Sequence, residues 1–314
     1  MDSSSTPDID VVIPTLDCST NIWRCLQRIR RQSYGGKIHI LIVDGGSVDT
    51  TRDVSRKLAE EVILSEGNTP GGLEGQFQLG IANSSSDFIW HIDSDNFIVE
   101  DTAARSLMEP FLADDSINLS IPLLLVDPSY PSSFNHWLTA LENYYLSCQM
   151  AQGTRMGDWF CVENLNHGIP NGTIIRRSAL AAVGGYDMDV MVLKRLRSAN
   201  LAKAAIVPNS HIFHNSAGGA LQYKRKIEHR LNFHTSMSSD TRSRYFVDQA
   251  VRGKEMSLKN QVTSLFKISV DSIRNLARTR KMIWLWGIAY VFIVIAAVLG
   301  HMKEMMSLDF RRNA

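Results

Sequence analysis

Two carboxylates one residue apart, Asp93 and Asp95, have the spacing that most directly suggests chemistry. They follow the apolar run "DFIWHI", which is typical of a buried strand, and they stand where that strand should end. Residues i and i+2 of a strand point to the same side, so the two charges would raise each other's pKa unless a cation lay near them. Mg²⁺ and Mn²⁺ are bound by one or two carboxylates together with substrate phosphates. The pattern indicates a metal and phosphate site, and by itself it also fits a solvated turn.

A second polar cluster follows another apolar run. Asp44 ends "HILIVD" and is followed by Gly45, Gly46 and Ser47. Glycine lets the backbone approach a ligand closely, and a strand-end Asp can accept hydrogen bonds from a base or a ribose. The alternative is a turn in which the next residues only cap a helix. The chain contains neither the G-x-G-x-x-G fingerprint nor a Walker sequence.

Alternating strands and helices must position these clusters. The sequence predicts strands at Ile9–Ile13, Ile38–Val43, Val62–Leu64 and Phe88–Ile92. It predicts a helix capped by Ser19 or Thr20 and extending to about Gln32, a second helix over Thr51–Glu60, and a third that ends near Asn83. This alternation predicts a parallel α/β sheet with helices on both faces. Such sheets bind ligands beyond the carboxyl ends of their strands. We therefore expect the residues after the first, second and fourth strands to converge on one crevice.

The charge of the chain is unevenly distributed. The 314 residues are 44% hydrophobic and 21% charged, as in a globular protein. Residues 1–215 hold 16 Lys/Arg and 25 Asp/Glu, a balance of −9, whereas residues 216–281 hold 14 and 5, a balance of +9. Such a basic segment suggests an anionic partner, either a membrane surface or nucleic acid. The four cysteines form no CxxC pair and are expected to be free thiols in a reducing compartment.

An uncharged segment near the end of the chain favours the membrane over nucleic acid. Residues Ile283–Gly300 contain no charge, and 18 helical residues span about 27 Å, close to the thickness of a bilayer core. Trp284, Trp286 and Tyr290 lie toward one end, as an aromatic belt would. We expect a transmembrane helix at 282–302 and a short tail at 303–314, the alternative being a buried core helix. The basic residues before it would place the rest of the chain in the cytoplasm, and no signal peptide is predicted.

Taken in order, the three strand ends "IPT", "VDGGSVD" and "DSD" resemble those of the family 2 glycosyltransferases with the GT-A fold. Two later segments, "NGTIIRRSALAAVGGYD" and "MDVMVLKRL", resemble the parts of that family before and around its catalytic carboxylate. The resemblance covers residues 9–215. It implies a GT-A (Rossmann-like) nucleotide-diphospho-sugar transferase domain over those residues. From their own composition, the polar residues 1–8 are expected to be disordered, and residues 216–281 to form basic interfacial helices.

The resemblance also implies where the donor binds. The nucleotide pocket would be formed by Pro14, Thr15, Asp17, Asp44, Gly46 and Asp93. Asp95, with Asp93, would hold Mn²⁺ or Mg²⁺ against the donor diphosphate, and His214 is a further candidate ligand. The sugar or acceptor pocket would be shaped by Asn171, Gly172 and Trp159, although Trp159 equally fits the core. His91, inside the strand, is expected to be structural.

The catalytic base implied by the resemblance is Asp189, with Asp187 as a rival. It would take the proton of an acceptor hydroxyl that attacks the anomeric carbon from behind, which inverts the configuration. The alternative is that either residue only caps a helix. Two positions depart from the family pattern: Met188 replaces an acidic residue, and Phe77 stands where an Arg often faces the diphosphate.

The resulting expectation is an inverting, metal-dependent glycosyltransferase that uses a GDP- or UDP-linked sugar. Its expected acceptor is lipid-linked, either a polyprenyl or dolichyl phosphate or a lipid-linked glycan. It would be a single-pass membrane protein with a cytoplasmic catalytic domain and no nucleic-acid partner. The departures at Met188 and Phe77 keep open a non-catalytic GT-A protein that binds sugar nucleotides. A nucleotidyltransferase, which also uses carboxylates and a metal in an α/β sheet, is the remaining alternative.

Overall fold

The computed structural model describes residues 6–65, 72–130, 132–186, 189–215, 218–225 and 258–296. The strands are β1 Ile9–Thr15, β2 Ile38–Asp44, β3 Glu61–Leu64, β4 Phe88–His91, β5 Asn96–Ile98, β6 Leu119–Leu125, β7 Thr154–Met156, β8 Trp159–Val162, β9 Ile174–Arg176 and β10 Ala204–His214. The helices are α1 Ser19–Arg30, α2 Thr51–Ser55, α3 Leu73–Asn83, α4 Ala103–Ala113, α5 Ser133–Gln152, α6 Arg177–Ala182, α7 Asp189–Ser198 and α8 Leu258–Thr279, followed by a 3₁₀ turn at Met282–Leu285.

These elements belong to two compact units. The first contains the described residues up to Asp127 together with Glu142–Asn215. The second contains those of Pro128–Leu141 and those after residue 217. Pro128–Leu141 forms the first part of α5 and the segment before it. The predicted division of the chain kept these residues in the domain at 9–215 and did not assign them to a separate unit.

The first unit is built on a mixed sheet in the order β3-β2-β1-β4-β9-β6-β10-β8-β7, with β5 paired to β10. The half from β3 to β4 is parallel, as predicted. The other half is not, because β9 runs antiparallel between β4 and β6, and β5 and β8 run antiparallel to β10. The predicted parallel arrangement is therefore confirmed for the first four strands, and the sheet as a whole is mixed.

The core lies on both faces of this sheet because the side chains of each strand alternate between them. Val11 and Ile13 of β1 pack on the face covered by α1, together with Leu26. Val12, between them, packs on the opposite face with Phe77 of α3. All five side chains are at most 1% exposed. Burying each such side chain stabilises the fold by about 1.5–3 kcal/mol, so the parallel half is a firm base for the loops at its edge.

The second unit contains most of the segment predicted to cross a membrane. No helix of the described residues is both long enough and apolar enough to span a bilayer. The 3₁₀ turn Met282–Leu285 comes first, and residues 286–296 are helical. Trp286 packs edge-on against Phe134, and Tyr290 packs against Trp137, so these aromatic rings make intramolecular contacts. The predicted single-pass membrane localisation is therefore wrong, and the cytoplasmic placement that depended on it falls with it.

Candidate active site

The Asp93–Asp95 pair lies on a tight turn rather than on a strand. β4 ends at His91 and β5 begins at Asn96, and the backbone N–H of Asn96 donates to the carbonyl of Asp93 at 3.0 Å. The same-face argument for two residues of one strand therefore does not apply. The Asn96 side chain donates to Asp95 Oδ1 at 3.2 Å. The turn, closed by its own backbone bond, holds both carboxylates at the edge of the sheet.

Asn171 fixes the first carboxylate of this turn. Its side-chain amide donates to Asp93 Oδ2 at 2.5 Å, and its side-chain oxygen accepts the Asp93 N–H at 3.2 Å. The neighbouring Gly172 is bound to β4, because its N–H donates to the His91 carbonyl and its carbonyl accepts the Trp90 indole N–H, both at 2.8 Å. Gly172 has φ +84°, which favours glycine. The two residues predicted to shape a sugar pocket thus lie beside Asp93.

His91 also contacts Asp93, which the sequence did not indicate. Its Nε2 lies 3.7 Å from Asp93 Oδ1. On the other side its ring packs against Phe77 at 4.2 Å between centroids, and its Nδ1 lies 3.4 Å from the Tyr186 hydroxyl. Phe77, in the position where an Arg was considered, is 1% exposed and supports His91 instead of facing a ligand. His91 therefore connects the core to the acidic turn.

The electrostatic environment keeps Asp93 ionised. Burial by itself raises the pKa of Asp93, but the nearby imidazole of His91, the hydrogen bond from Asn171 and the charge of His214 lower it below its usual value. Asp93 Oδ1 is buried and has no hydrogen-bond partner. Such an oxygen is costly unless something binds to it. Beneath the turn, burial raises the pKa of the Cys25 thiol, so this side chain remains a neutral neighbour.

Asp44 holds the second predicted cluster together from inside. Its carboxylate accepts hydrogen bonds from the Thr15 hydroxyl at 3.0 Å, the Ser47 hydroxyl at 2.6 Å and the Ser47 N–H at 2.8 Å. The Gly46 N–H, at 3.1 Å, adds a fourth bond. Asp44 is 0% exposed, and Pro14 and Thr15 are also buried. These predicted nucleotide ligands therefore form the framework of the pocket and present no free surface to a base.

Asp17 and Gly46 are the exposed members of the predicted nucleotide set. Asp17 has φ +45° and directs its carboxylate to the Val48 N–H at 2.8 Å, while its own N–H donates to the Ser47 hydroxyl at 2.9 Å. Gly46 has φ +97°, and a Cβ added there would meet nothing within 4 Å. The loop after β1 and the loop after β2 thus form one surface with open space in front of it.

The N-terminus of α1 is capped from the neighbouring loop. The N–H of Cys18 donates to the Thr51 hydroxyl at 2.8 Å, and the N–H of Ser19 donates to Asp49 at 3.1 Å. Neither Ser19 nor Thr20, the predicted caps, has this role, because the residue before the helix is Cys18 and its side chain makes no cap bond. This bonding ties the two loops together at a second place.

The predicted residues His214, Trp159, Asp187 and Asp189 lie in three different parts of the chain. His214, at the end of β10, is paired with Asn96 of β5 and so lies beside the acidic turn. Trp159 is 4% exposed in the core next to β10, which leaves no ring face for a sugar, so its core alternative is the better interpretation. Asp187 lies outside the described residues. Asp189 is the first residue of α7, and its side chain is likewise outside them.

The acidic turn offers a limited set of ligands for a metal. Within the described ranges, no group of three or more His, Cys, Asp or Glu could hold an ion by itself. The turn supplies the carboxylates of Asp93 and Asp95, one of them with an unbonded buried oxygen. This donor set fits a hard divalent cation that takes its other ligands from water and substrate phosphates.

Comparison with known proteins agrees with this geometry. A model described as glycosyl transferase family 2 matches residues 10–183, more than half of the chain. The chain belongs to glycosyl transferase family 2. The matched region contains the loops after β1 and β2, the acidic turn and Asn171, and it ends just after α6.

Curated relatives of this family 2 chain match part of its length. An N-acetylglucosaminyltransferase from Bradyrhizobium diazoefficiens is 28% identical over 167 residues, 49% of this chain and 33% of that protein. The glycosyltransferase AglE from Haloferax volcanii is 31% identical over 98 residues, 30% of this chain and 32% of that protein. The chain therefore spans about a third of the length of these relatives.

A solved structure supports the fold of the family 2 chain. The mannosyltransferase PcManGT from Pyrobaculum calidifontis, in complex with GDP-Man and Mn²⁺, superposes with a TM-score of 0.61. The match covers 96% of this chain and 88% of that chain at 13% identity. At this identity the similarity shows a shared GT-A fold.

Proposed function

We propose that this family 2 chain transfers a sugar from a GDP- or UDP-linked donor to an acceptor. The observation that carries the proposal is the meeting of three polar turns at the ends of the adjacent strands β2, β1 and β4. Two of these turns form the surface that carries Asp17 and Gly46, and the third holds Asp93 with its unbonded oxygen. Such a strand-end crevice suits a nucleotide with its diphosphate directed at the acidic turn.

We assign the metal to this third turn. Asp93 and Asp95 would hold Mn²⁺ or Mg²⁺ together with phosphate oxygens of the donor. When bound, the cation neutralises charge that develops on the leaving nucleoside diphosphate. Asn171 and His91 keep the Asp93 carboxylate in place, so that the turn does not have to reorganise when donor binds.

The transfer itself is proposed to invert the anomeric centre. In a single in-line displacement, the acceptor hydroxyl attacks from the side opposite the diphosphate, and Asp189 takes its proton. Asp187 is the alternative base. Both residues precede or begin α7. Arg195, in the last turn of α7, donates to the Gly185 carbonyl at 2.8 Å and so ties this helix to the preceding glycine turn.

A lipid-linked acceptor is supported by the second unit. In α8 the polar residues Asp271, Ser272 and Asn275 are at most 5% exposed, whereas Phe266 is 69% and Ile273 50% exposed. Exposed apolar side chains on a helix whose other polar residues are buried suit contact with an apolar environment. Exposed basic residues on the same helix, Arg274 and Arg278, would suit anionic headgroups. We therefore propose that the acceptor is carried by a lipid.

Donor binding and turnover test the proposal. GDP- and UDP-sugars are screened by thermal shift with Mn²⁺ and with EDTA. The hydrolysis of each donor is measured as the release of GDP or UDP. We expect one nucleotide class to raise the melting temperature only with Mn²⁺, because a ligand stabilises the state that it binds. Asp93→Asn should abolish this shift, whereas Asp115→Asn, at an exposed position on the loop before β6, should retain it.

Other outcomes would identify the alternatives. Donor binding without any turnover would instead support a non-catalytic sugar-nucleotide-binding protein. Release of pyrophosphate from a nucleoside triphosphate would support a nucleotidyltransferase. If no nucleotide shifts the melting temperature under either condition, the proposed function fails.

A further inference from the structure

The pair formed by Glu142 and His167 is not used by the site described so far. His167 Nε2 lies 2.6 Å from Glu142 Oε2, and the ring of Tyr145 packs over His167 at 4.7 Å between centroids. The two side chains come from different segments, α5 and the loop between β8 and β9. Their side chains remain 22% exposed for His167 and 38% exposed for Glu142. A polar pair that is fixed in place and still accessible can bind a ligand.

The sheet places this pair on the same edge as the acidic turn. The Asn143 side chain donates to the Leu124 carbonyl at 2.6 Å and accepts the Leu124 N–H at 3.0 Å, which fixes Glu142 beside the end of β6. β6 pairs with β10 up to Phe213, and the next residue, His214, pairs with Asn96. The acidic turn after β4, the end of β6 with the Glu142–His167 pair, and the end of β10 therefore all lie along this one edge.

The loop between β8 and β9 connects the pair to Asp93 directly. The N–H of Asn166 donates to Gln149 of α5 at 3.1 Å, which holds the loop at His167. Four residues after His167, Asn171 is bonded to Asp93. The segment from His167 to Asn171 thus contacts Glu142 at its first residue and the acidic turn at its last.

The charges agree with this placement. Burial by itself raises the pKa of Glu142, but the hydrogen bond and charge of His167 and the charge of His214 lower it below its usual value. An ionised carboxylate accepts hydrogen bonds from hydroxyl groups and repels a phosphate. The nucleotide turns lie at β1 and β2, on the other side of the acidic turn, so this side is left for the acceptor.

We propose that the Glu142–His167 pair binds the acceptor, with Glu142 accepting hydrogen bonds from hydroxyl groups of a sugar. The inference rests on the proposed function and narrows it, since it favours a lipid-linked glycan over a lipid phosphate. His167 orients the Glu142 carboxylate, and Tyr145 keeps the imidazole in its plane.

Acceptor kinetics test this assignment. The donor selected by thermal shift is supplied with Mn²⁺. Two kinds of acceptor are compared: octyl glycosides with glucose, N-acetylglucosamine or mannose headgroups, and farnesyl phosphate. We expect transfer to an octyl glycoside, and Glu142→Gln should raise the acceptor KM about tenfold or more, as for loss of a hydrogen bond to a charged group. The donor KM and the hydrolysis of donor by water should stay unchanged. Glu109→Gln, at an exposed position of α4, is the matched control.

A second variant separates binding from folding. His167→Gln should also raise the acceptor KM without a change in donor hydrolysis, and the melting temperature of each variant shows that it folds. Equal losses in hydrolysis and transfer, or an unchanged acceptor KM in both variants, would overturn the inference. Transfer to farnesyl phosphate alone would also overturn the inference, as would donor hydrolysis without transfer to any octyl glycoside. In both cases the proposed donor site would still stand. A wild type that neither binds nor hydrolyses any donor overturns the proposed function, and the inference with it.

Discussion

Asn171 and Asp93, 78 positions apart in the sequence, are joined by two hydrogen bonds that use both ends of the Asn171 amide. One bond fixes the carboxylate and the other fixes the backbone of the same residue. The acidic turn is therefore held from outside by a residue of the loop before β9. Its geometry depends on that loop as much as on its own sequence.

Replacing Asn171 by Asp should disable the turn with little change in shape. The new carboxylate would face Asp93 Oδ2 at hydrogen-bond distance and repel it. We expect donor turnover to fall at least tenfold, since a bond to a charged group contributes about 1.5–3 kcal/mol. The measurement is the rate of GDP or UDP release with Mn²⁺. Asn164→Asp, where the side chain meets Arg197 at 3.1 Å, is the control and should keep wild-type turnover. Equal rates in both variants would contradict the role of Asn171.

Alanine substitutions at two glycines should separate backbone strain from packing. Gly172 and Gly157 have φ values of +84° and +71°. A Cβ at Gly172 would lie 2.9 Å from Ile212, whereas at Gly157 it would meet nothing within 4 Å. We expect Gly157→Ala to cost about 1–2 kcal/mol for the left-handed backbone alone. Gly172→Ala should cost about 1–3 kcal/mol more from overpacking. Urea unfolding measures both, and similar losses would show that the loop relaxes around the new methyl group.

Asp10 should make the fold sensitive to acid. Its buried carboxylate accepts bonds from the Ser84 hydroxyl at 2.6 Å, the Ser85 N–H at 2.7 Å and the Ser86 N–H at 2.9 Å. Burial by itself raises the pKa of Asp10, but these bonds lower it below its usual value. A carboxyl with a lowered folded pKa contributes stability above about pH 4, and this is lost as the pH falls through the folded pKa.

The matching variant is Asp10→Asn. At pH 7 it should lower the free energy of unfolding by about 2–3 kcal/mol, because the neutral amide accepts these hydrogen bonds more weakly than the carboxylate. The Ser86 hydroxyl donates to the other carboxylate oxygen at 2.8 Å, so the amide NH₂ group also faces a donor in either orientation. Its stability should also change less than that of the wild type between pH 6 and pH 3. Asp87→Asn, whose side chain is 84% exposed, should leave both quantities unchanged. If Asp10→Asn and the wild type lose stability in parallel on acidification, Asp10 is not the responsible group.

Arg24 and Asp127 should be coupled energetically. Arg24 lies 2.6 Å from Asp127, whose side chain is 1% exposed, and its guanidinium stacks over Phe97 of β5 at 4.0 Å. Arg24→Met leaves the buried carboxylate without this cation and should cost about 3–5 kcal/mol. Adding Asp127→Asn should recover part of the loss, because the charge is then removed as well. Thermal unfolding of the two single variants and the double variant tests this, and strictly additive losses would contradict the coupling.

The sequence predicted the parallel half of the sheet because its signals are local. Apolar runs bounded by turn residues gave β1, β2 and β4 to within about two residues of their observed ends. α2 was predicted to Glu60 and ends at Ser55. The reason is tertiary: the Glu60 carboxylate accepts the Ile40 N–H at 2.7 Å and meets Arg30 at 2.6 Å, so it is bound to β2 and α1 rather than to a helix.

The rest of the site depends on contacts between distant residues, which spacing does not reveal. The antiparallel insertion of β9 brings Asn171 to Asp93, and a short run such as Ile174–Arg176 contains no signal for its direction. The contact of His91 with Asp93 follows from a turn that was interpreted as the end of a strand. The apolar segment after Met282 was interpreted by hydropathy alone, whereas its aromatic rings have partners in residues 134–137.

The reciprocal bonds between the loops after β1 and β2 also have a consequence for motion. The amides of Asp17, Cys18 and Ser19 donate to side chains of the second loop, and the Val48 amide donates to a side chain of the first. Breaking these bonds requires the two loops to separate, so the four amides should share one opening free energy in hydrogen exchange, as one cooperative unit. A ligand that bridges the loops would raise that free energy for all four together, so their protection reports the population of the open state at this end of the crevice.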